Sequence, residues 1–411
     1  MATTVILGAG IIGTSTAYYL SKHQPGSSIH LVEPSPELFA SASGYAGGFL
    51  AKDWFSSATA ELGALSFEEH RKLAEKEDGA RKWGYARSTS ISLASSARSK
   101  KRVDVWCRDG ASRAEAASGD SSVGVAPPWL RREEGDAVEV ISDKGTVAQV
   151  DPLQLSQFLL QKCLDAGVQL HHPAKAISIQ TDVRNELSSI CIADTHSSSE
   201  TDIPCTAIVI AAGAWSPQVF STLFPTSQLR LPISSLAGHS IVVRSPRWAA
   251  EHEEHGCHAV FMTAKPGYSP EIFSRVGGQI YIAGLNSAAE PLPPLATDAR
   301  RGISGPAIET LRRTAREVLG PADGGDDLEV VREGLCFRPV TDRGTPVLSR
   351  IPDRYLGPSV GARQAPDGGV FLAAGHGPWG ISHSLGTGKV MAEMIQGREL
   401  SADVSKLGLD V

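Results

Sequence analysis

Apolar and polar positions along the first thirty residues follow two different periods. Val5-Ile6-Leu7 is a short β-branched and apolar run bounded by glycine, which predicts a strand. Residues 11–21 carry Ala17, Tyr18 and Leu20 as an inner face and predict a helix, stopped by Pro25-Gly26. Residues 29–33 predict the next strand. Residues 60–77 are charged and helical in pattern. Between Gly79 and Gly145 serine, glycine and charge dominate, and only short strands and exposed loops are expected, without fixed positions. Order returns at Asp151-Pro152, where Asp can cap a helix and Pro can occupy its first turn. Leu155, Phe158, Leu159 and Cys163 then recur at helical spacing up to Ala166-Gly167. Strands are expected at 168–170, 176–179 and 207–210. From about 231 to 333 the pattern becomes strands separated by turns, at 240–243, 258–262 and 279–283. The last part predicts a strand at 370–373, a glycine loop, and a buried helix through Ile381, Leu385, Met391, Met394 and Ile395 that stops at Gly397. No internal repeat of roughly 20–50 residues is present.

Composition adds mainly exclusions. With 411 residues, 41% apolar and 20% charged, the chain is ordinary for a soluble protein and long enough for two interleaved domains. A net charge of −6 gives no electrostatic reason for a nucleic-acid partner. The short basic run Arg98-Ser99-Lys100-Lys101-Arg102 reads as a solvated loop face. Six cysteines (Cys107, Cys163, Cys191, Cys205, Cys257, Cys336) without a Cys-x-x-Cys pair argue against a zinc module and a disulfide framework, so no metal is expected. No run reaches the ~18 apolar residues of a membrane span. The first residues lead straight into the first strand with no signal-peptide pattern, and Leu409-Asp410-Val411 is not a peroxisomal address. A reducing cytoplasm is the expected compartment.

Gly8-Ala9-Gly10-Ile11-Ile12-Gly13 fits the Gly-x-Gly-x-x-Gly fingerprint between a strand and a helix. Gly8 suits the tight turn, Gly10 the approach of a pyrophosphate, and Gly13 close helix–strand packing, with the helix N-terminus facing the phosphates. Glu33 lies 20 residues after Gly13 and suits a carboxylate binding ribose hydroxyls. The acid favours an unphosphorylated ribose, hence FAD or NAD over NADP. The expected fold class is α/β, α+β overall. A Rossmann-like dinucleotide domain is built from both chain ends (1–80, 145–230 and 334–411), with a sheet-rich substrate domain (81–144 and 231–333).

Four blocks decide between the two nucleotides, because together they resemble the D-amino-acid oxidase, glycine oxidase and sarcosine oxidase superfamily over nearly the whole chain. The first is the fingerprint. The second is Ser41-Ala42-Ser43-Gly44-Tyr45-Ala46-Gly47-Gly48-Phe49-Leu50, similar to the loop that passes the pyrophosphate and isoalloxazine. The third is residues 207–216 with Ala212, Gly213 and Trp215, which resembles the strand and turn passing the nucleotide; Ala176 matches the position that meets the adenine. The fourth is Gly334-Leu335-Cys336-Phe337-Arg338-Pro339-Val340-Thr341 with Gly375-His376-Gly377-Pro378-Trp379-Gly380-Ile381. Pro270-Glu271-Ile272-Phe273 taken with residues 44–48 resembles a fungal branch of oxidoreductases with few assigned substrates.

The resemblance implies FAD, with the positive end of a helix after Gly375–Ile381 facing the flavin pyrimidine edge. It gives Arg338 the place of the arginine that anchors a substrate carboxylate; a structural pairing with Asp342 is the alternative. His376 is either a turn-holding residue or a participant in catalysis. Cys336, with Thr341 in a Cys-x-x-x-x-Thr pattern, matches the cysteine linked to flavin in sarcosine oxidase and amadoriases. Noncovalent FAD with a buried, inert Cys336 is the favoured reading. Pro378 and Trp379 stand where sarcosine oxidases place a lysine, so a sarcosine-type carboxylate site is disfavoured. Gly388-Lys389 lacks the Ser or Thr and the upstream glycine of a phosphate loop.

The function implied is an FAD-dependent oxidase of a C–N bond in an amino acid or secondary amine. Hydride passes to flavin N5, and O₂ is the acceptor, giving H₂O₂. Arg338, His376 and Trp379 are the candidate catalytic residues, and Trp54, Phe55 and Tyr85 are further candidates to line the pocket. The rivals are an FAD dehydrogenase using another acceptor and a flavin-bearing assembly or trafficking factor without turnover. An NAD-dependent dehydrogenase would leave the C-terminal blocks without a role. A small-molecule amine or amino acid is the expected partner, with no nucleic acid and no membrane; the oligomeric state is not indicated.

Overall fold

The computed structural model describes residues 3–94, 122–123, 126–132, 136–143, 145–254, 256–263, 268–321 and 323–409. The basic run 98–102, Cys107 and the last two residues lie outside them.

The first predicted strand, Thr4–Leu7, is central in a six-stranded sheet. The spatial order is Val347–Arg350, Gly369–Ala374, Ala207–Ile210, Thr4–Leu7, Ile29–Val32, Gln169–His171. All pairs are parallel except the first, which is antiparallel. Continuous apolar runs form these strands because both faces are covered and successive side chains point to opposite layers. Ile6, Leu31, Val209 and Phe371 pack with the helices Ile11–Leu20, Ala60–Glu77, Pro152–Asp165 and Gly380–Ile395. Val5, Leu7, Ile208, Ile210, Val370 and Leu372 point the other way. There they meet the antiparallel strands Ala174–Thr181, Leu187–Asp194 and Glu200–Pro204 and the helix Ser216–Leu223. The helices Ile11–Leu20 and Gly380–Ile395 touch closely enough that a Cβ on Gly388 would lie 2.5 Å from the Ser15 carbonyl carbon. The two chain ends therefore share one core, as the sequence pattern predicts.

A second sheet of ten strands runs from Glu329–Val340 through Ser234–Arg244, Gln279–Ser287, Glu271–Ser274, Cys257–Thr263, Ala86–Ala94 and Ala137–Ser142 to Ser122–Val123. Phe49–Ala51 and Val147–Gln149 join it at Ala86–Ala94. Its outer face, including Ile241, Ile272, Ile280 and Ile282, is covered by Ile308, Leu311, Ala315 and Val318 of the helix Gly305–Leu319. That helix lies where only strands and turns are expected from the sequence. Its Ser304 cap, accepting from the Ala307 N–H at 3.4 Å, and its apolar stripe were readable there. Ala86–Ala94 and Ala137–Ser142 order part of the stretch that sequence pattern leaves without positions. Glu329–Val340 pairs with Ser234–Arg244 along its length, so the domain boundary expected at 334 falls inside a strand.

Asp151 shows how one predicted cap also joins the two sheets. Its Oδ1 accepts the N–H groups of Leu153 and Gln154 at 2.9 and 3.0 Å, and its Oδ2 faces Nη1 of Arg275 at 3.5 Å. Arg275 is buried in the larger sheet, where removing its charged partner costs more than losing a cap alone. Asp151→Asn should keep most of the cap and lose the ion pair. Asp151→Ala should lose both and be the less stable by about 1 kcal/mol. The order of the midpoints in thermal unfolding, parent above Asn above Ala, checks this.

Candidate active site

A cleft of about 410 Å³ opens along the C-terminal ends of the central strands, reaching from Glu33 and Ala176 at one end to Cys336 and Arg338 at the other. This is where a parallel sheet presents helix N-termini and short turns to a ligand. Gly8 sits at φ +105° under Ala211, whose carbonyl oxygen would lie 2.6 Å from any Cβ. A Cβ on Gly13 would lie 2.0 Å from the Gly8 carbonyl oxygen, so only glycine lets the helix approach the strand this closely. Gly8, Gly10, Ile11 and Ile12 line the cleft. The first helix has no side-chain cap, leaving its opening N–H groups to the cleft apart from Ile11, which donates to Ser43 Oγ at 2.9 Å. Glu33 also lines the cleft, accepting the Ala9 and Ser35 N–H groups at 3.1 and 3.0 Å. Burial pushes its carboxyl up, while these donors pull it down.

Ala212, Gly213 and Trp215 form the next wall, with the Trp215 indole donating to Pro293 O at 2.7 Å. Ser43 lies on the opposite side. Gly44 packs on the Phe39 carbonyl. Beyond it the loop carbonyls are held by three side chains. Arg332 donates to Gly44 O at 2.9 Å, Arg275 to Ala46 O and Gly47 O at 2.8 and 3.0 Å, and Gln149 to Gly47 O at 2.6 Å. Gly47, Gly48 and Phe49 line a second, smaller cavity of about 40 Å³ that shares Ala46, Arg338, Pro378 and Ile381 with the cleft.

Cys336 and Arg338 face this junction from the strand Glu329–Val340. Arg338 is half-buried; its Nη1 donates to Asn286 Oδ1, and its guanidinium covers Gly238, where a Cβ would come within 2.6 Å. Burial opposes its charge, but Cys336, Tyr281 and Glu271 nearby outweigh that and hold it protonated. Its hydrogen-bond partner is Asn286, where Asp342 is the expected alternative. The Cys336 thiol is pushed up by burial, against the pull of Arg338 and Arg332.

The turn after Gly369–Ala374 brings His376, Gly377, Pro378, Gly380 and Ile381 to the cleft, at the N-terminus of Gly380–Ile395. Gly375 turns behind them at φ +85° against Thr341. His376 Nε2 lies 3.0 Å from Thr387 Oγ1, and burial pulls its pKa down to about 3. Trp379 does not line either cavity. It packs edge-on against Phe55 with centroids 5.0 Å apart and lies near Phe49 and Trp54 in an aromatic cluster behind the site. Trp54 and Phe55 belong to that cluster, and Tyr85 packs in the helical core instead.

Sequence reasoning missed Tyr281, Asn286, Arg275 and Arg332. Tyr281, Asn286 and Arg332 sit in strands whose pairing brings them to the site, Arg275 directly follows the strand Glu271–Ser274, and no local motif marks any of them. It also missed His70 and His383: the His383 ring lies 6.4 Å from His376, and His70 bonds the Ile381 carbonyl at 3.0 Å.

The arrangement defines a nucleotide-binding α/β protein with a second, smaller cavity, lined by Arg338 and Glu271, beside the ligand cleft. Residues 3–394 match the DAO family, described as FAD dependent oxidoreductase. The chain belongs to that family and is an FAD-dependent oxidoreductase. It is 27% identical over 428 aligned residues to the proposed oxidoreductase C1F5.03c of Schizosaccharomyces pombe, covering 98% of this chain and 96% of that one. It is 24% identical to the proposed oxidoreductase TDA3 of Saccharomyces cerevisiae, covering 98% and 93%. Among solved structures, glycine oxidase from Geobacillus kaustophilus superposes with a TM-score of 0.72 over 99% of this chain and 98% of that one, at 20% identity. The residues present fit the family's cofactor. The cleft is long and mostly apolar, with a buried carboxylate at one end, unclaimed helix N–H groups in the middle, and a second helix N-terminus at the other end. Among the described residues no helix is long and apolar enough to cross a membrane.

Three histidines in this layer make stability depend on pH. Burial pulls His70 down to about 4 and His376 to about 3; burial, then the neighbouring His376 and His70, pulls His383 well down. The unfolded chain protonates each near 6.5, while the folded protein does not. Stability is therefore full above that value and falls as the pH drops below it, by up to about 1.4 kcal/mol per ring and pH unit. His70 Nε2–H donates to Ile381 O at 3.0 Å, a bond that glutamine can replace. Melting temperatures from pH 7.5 to 5 should fall less steeply in His70→Gln than in the parent; parallel curves would refute this.

Proposed function

We propose that the protein is an FAD-dependent oxidase of a C–N bond in an amino acid or secondary amine. Arg338 carries this reading. A half-buried guanidinium lining both the cofactor cleft and the second cavity suits the carboxylate of a substrate whose reacting carbon would lie at the flavin edge. In this reading the six-stranded unit is the cofactor domain and the larger sheet the substrate domain. Glu33 would hold the ribose hydroxyls, and Gly8, Gly10, Ile11, Ile12, Ser43 and Gly44 the pyrophosphate region. Ala176, Ala212, Gly213 and Trp215 would flank the nucleotide, and Gly47, Gly48 and Phe49 the flavin ring. FAD held there would supply a hydride acceptor, with O₂ as the final two-electron acceptor giving H₂O₂.

The protein's own part is orientation and exclusion of water. Arg338 fixes the carboxylate, and the turn Gly375–Ile381 presents the positive end of its helix to the pyrimidine edge. The aromatic cluster of Phe49, Trp54, Phe55, Phe261, Phe273 and Trp379 backs the site. With His376 neutral and bonded to Thr387, its role is to hold the turn. The substrate needs no strong protein base, and the imine product hydrolyses in water. A thiol pushed up by burial is a poor nucleophile, which supports noncovalent FAD beside Cys336. The free, buried state of Cys163, Cys191, Cys205, Cys257 and Cys336 supports a reducing compartment, the cytoplasm.

Acid precipitation of the purified protein should release its yellow colour into the supernatant. The native protein should bleach anaerobically with at least one amino acid or secondary amine and form H₂O₂ when air returns. Bleaching followed by slow reoxidation would move the reading to a dehydrogenase. Tight FAD with no bleaching by any such compound would overturn it in favour of a non-catalytic role. Arg338→Ala should raise the half-saturating substrate concentration roughly 100-fold, as expected for a lost charge-assisted contact, with flavin content unchanged. Glu33→Ala should instead weaken FAD uptake by the apoprotein about 10- to 100-fold in a fluorescence titration.

A further inference from the structure

One wall of the cleft is borrowed. Among the described lining residues, Pro294, Leu295 and Ala296 alone come from residues 231–333, and they face the nucleotide end formed by Glu33, Ala176 and Trp215. They belong to residues 288–296, which leave the strand Gln279–Ser287 and run into the 3-10 turn Ala296–Gly302. Pro291, Pro293 and Pro294 stiffen this segment by fixing φ, and they remove three N–H donors from it. Its backbone, among the described residues, bonds to the cofactor domain at two points, and each bond runs to a side chain. Pro293 O accepts the Trp215 indole N–H at 2.7 Å. The Ala296 N–H donates to Ser35 Oγ at 3.0 Å, and the Ser35 hydroxyl in turn bonds Glu33.

A third tie lies just beyond. Arg300 reaches Glu37 through both guanidinium nitrogens, Nη1 meeting Oε1 at 2.9 Å and Nη2 meeting Oε2, and it also bonds the Tyr45 side chain. The pair is half exposed and lines neither cavity, so it holds the segment without touching a ligand. A stiff segment fastened by two hydrogen bonds and one surface ion pair, with no strand ladder to the cofactor domain, can detach without unfolding either sheet.

We propose that residues 288–296 are a strap over the nucleotide half of the cleft, and that FAD enters and leaves only when the Trp215, Ser35 and Glu37 latches let go. This requires FAD in the cleft and is independent of which compound the enzyme oxidises. The latches join protein to protein. Loosening one therefore lowers the barrier to entry and to exit together, whereas losing an ordinary cofactor contact speeds exit alone.

The test measures two rates: exchange of bound FAD for excess isotopically labelled FAD in the loaded protein, and FAD uptake by the apoprotein in stopped flow. Arg300→Gln should speed both about 3-fold and leave the dissociation constant within about 2-fold. Trp215→Phe keeps the ring against Phe337 and loses the N–H; uptake should speed about 5-fold. Uptake unchanged in both variants would make the segment a fixed wall and overturn the proposal. Faster exchange without faster uptake in Arg300→Gln would overturn it as well. Should Trp215→Phe fail to fold, the exposed Arg300→Gln decides alone.

Discussion

Two arginines of the larger sheet grip the backbone of a loop that belongs to the smaller one, and the active site depends on that grip. Arg275 and Arg332 donate to the carbonyls of Gly44, Ala46 and Gly47. Buried guanidinium groups need several acceptors to stay charged, and loop carbonyls need donors once they leave water. Each side therefore satisfies the other. The loop so fixed has the cofactor cleft on one side and the second cavity on the other. Asp151 adds the negative charge and at the same time caps the helix that packs beneath. The separation between cleft and cavity is thus set by hydrogen bonds across two sheets rather than within either.

The distribution of polar atoms around the site follows the same logic. The cofactor end is served by backbone N–H groups and one carboxylate, which can bind a nucleotide without a permanent counter-charge. The far end carries Arg338 and Glu271 among aromatic rings. Between them His383 of the last helix, His376 of the turn before it and His70 of the helix Ala60–Glu77 form a buried neutral layer, which holds polarity without charge.

Local pattern made part of this legible. The fingerprint, the Asp151 cap, the strand at 207–210 and the turn before the last helix each draw on residues close in sequence, whose spacing reflects the geometry directly. Glu33 and Arg338 could be singled out because a motif carries them. Tyr281, Asn286, Arg275 and Arg332 could not, since an isolated polar residue in a strand looks the same whether it faces solvent, core or ligand. Only strand register, set by pairing across tens of residues, assigns its face. The helix Gly305–Leu319 was hidden differently: its signals were present, but the strands around it dominated the reading. Trp379 sits in a motif yet turns into the aromatic cluster, because sequence gives its position in the turn and not its rotamer.

The shared core of the chain ends has a consequence for how the protein comes into being. The central strand Thr4–Leu7 is synthesised long before its neighbour's outer partner, Gly369–Ala374, and the helix Gly380–Ile395 that packs on Ile11–Leu20. Until those arrive, the cleft lacks one wall and the first helix one side of its packing. Long-range closure of this kind is slow compared with local folding. On the ribosome the nascent chain therefore carries the fingerprint long before the cleft has all its walls.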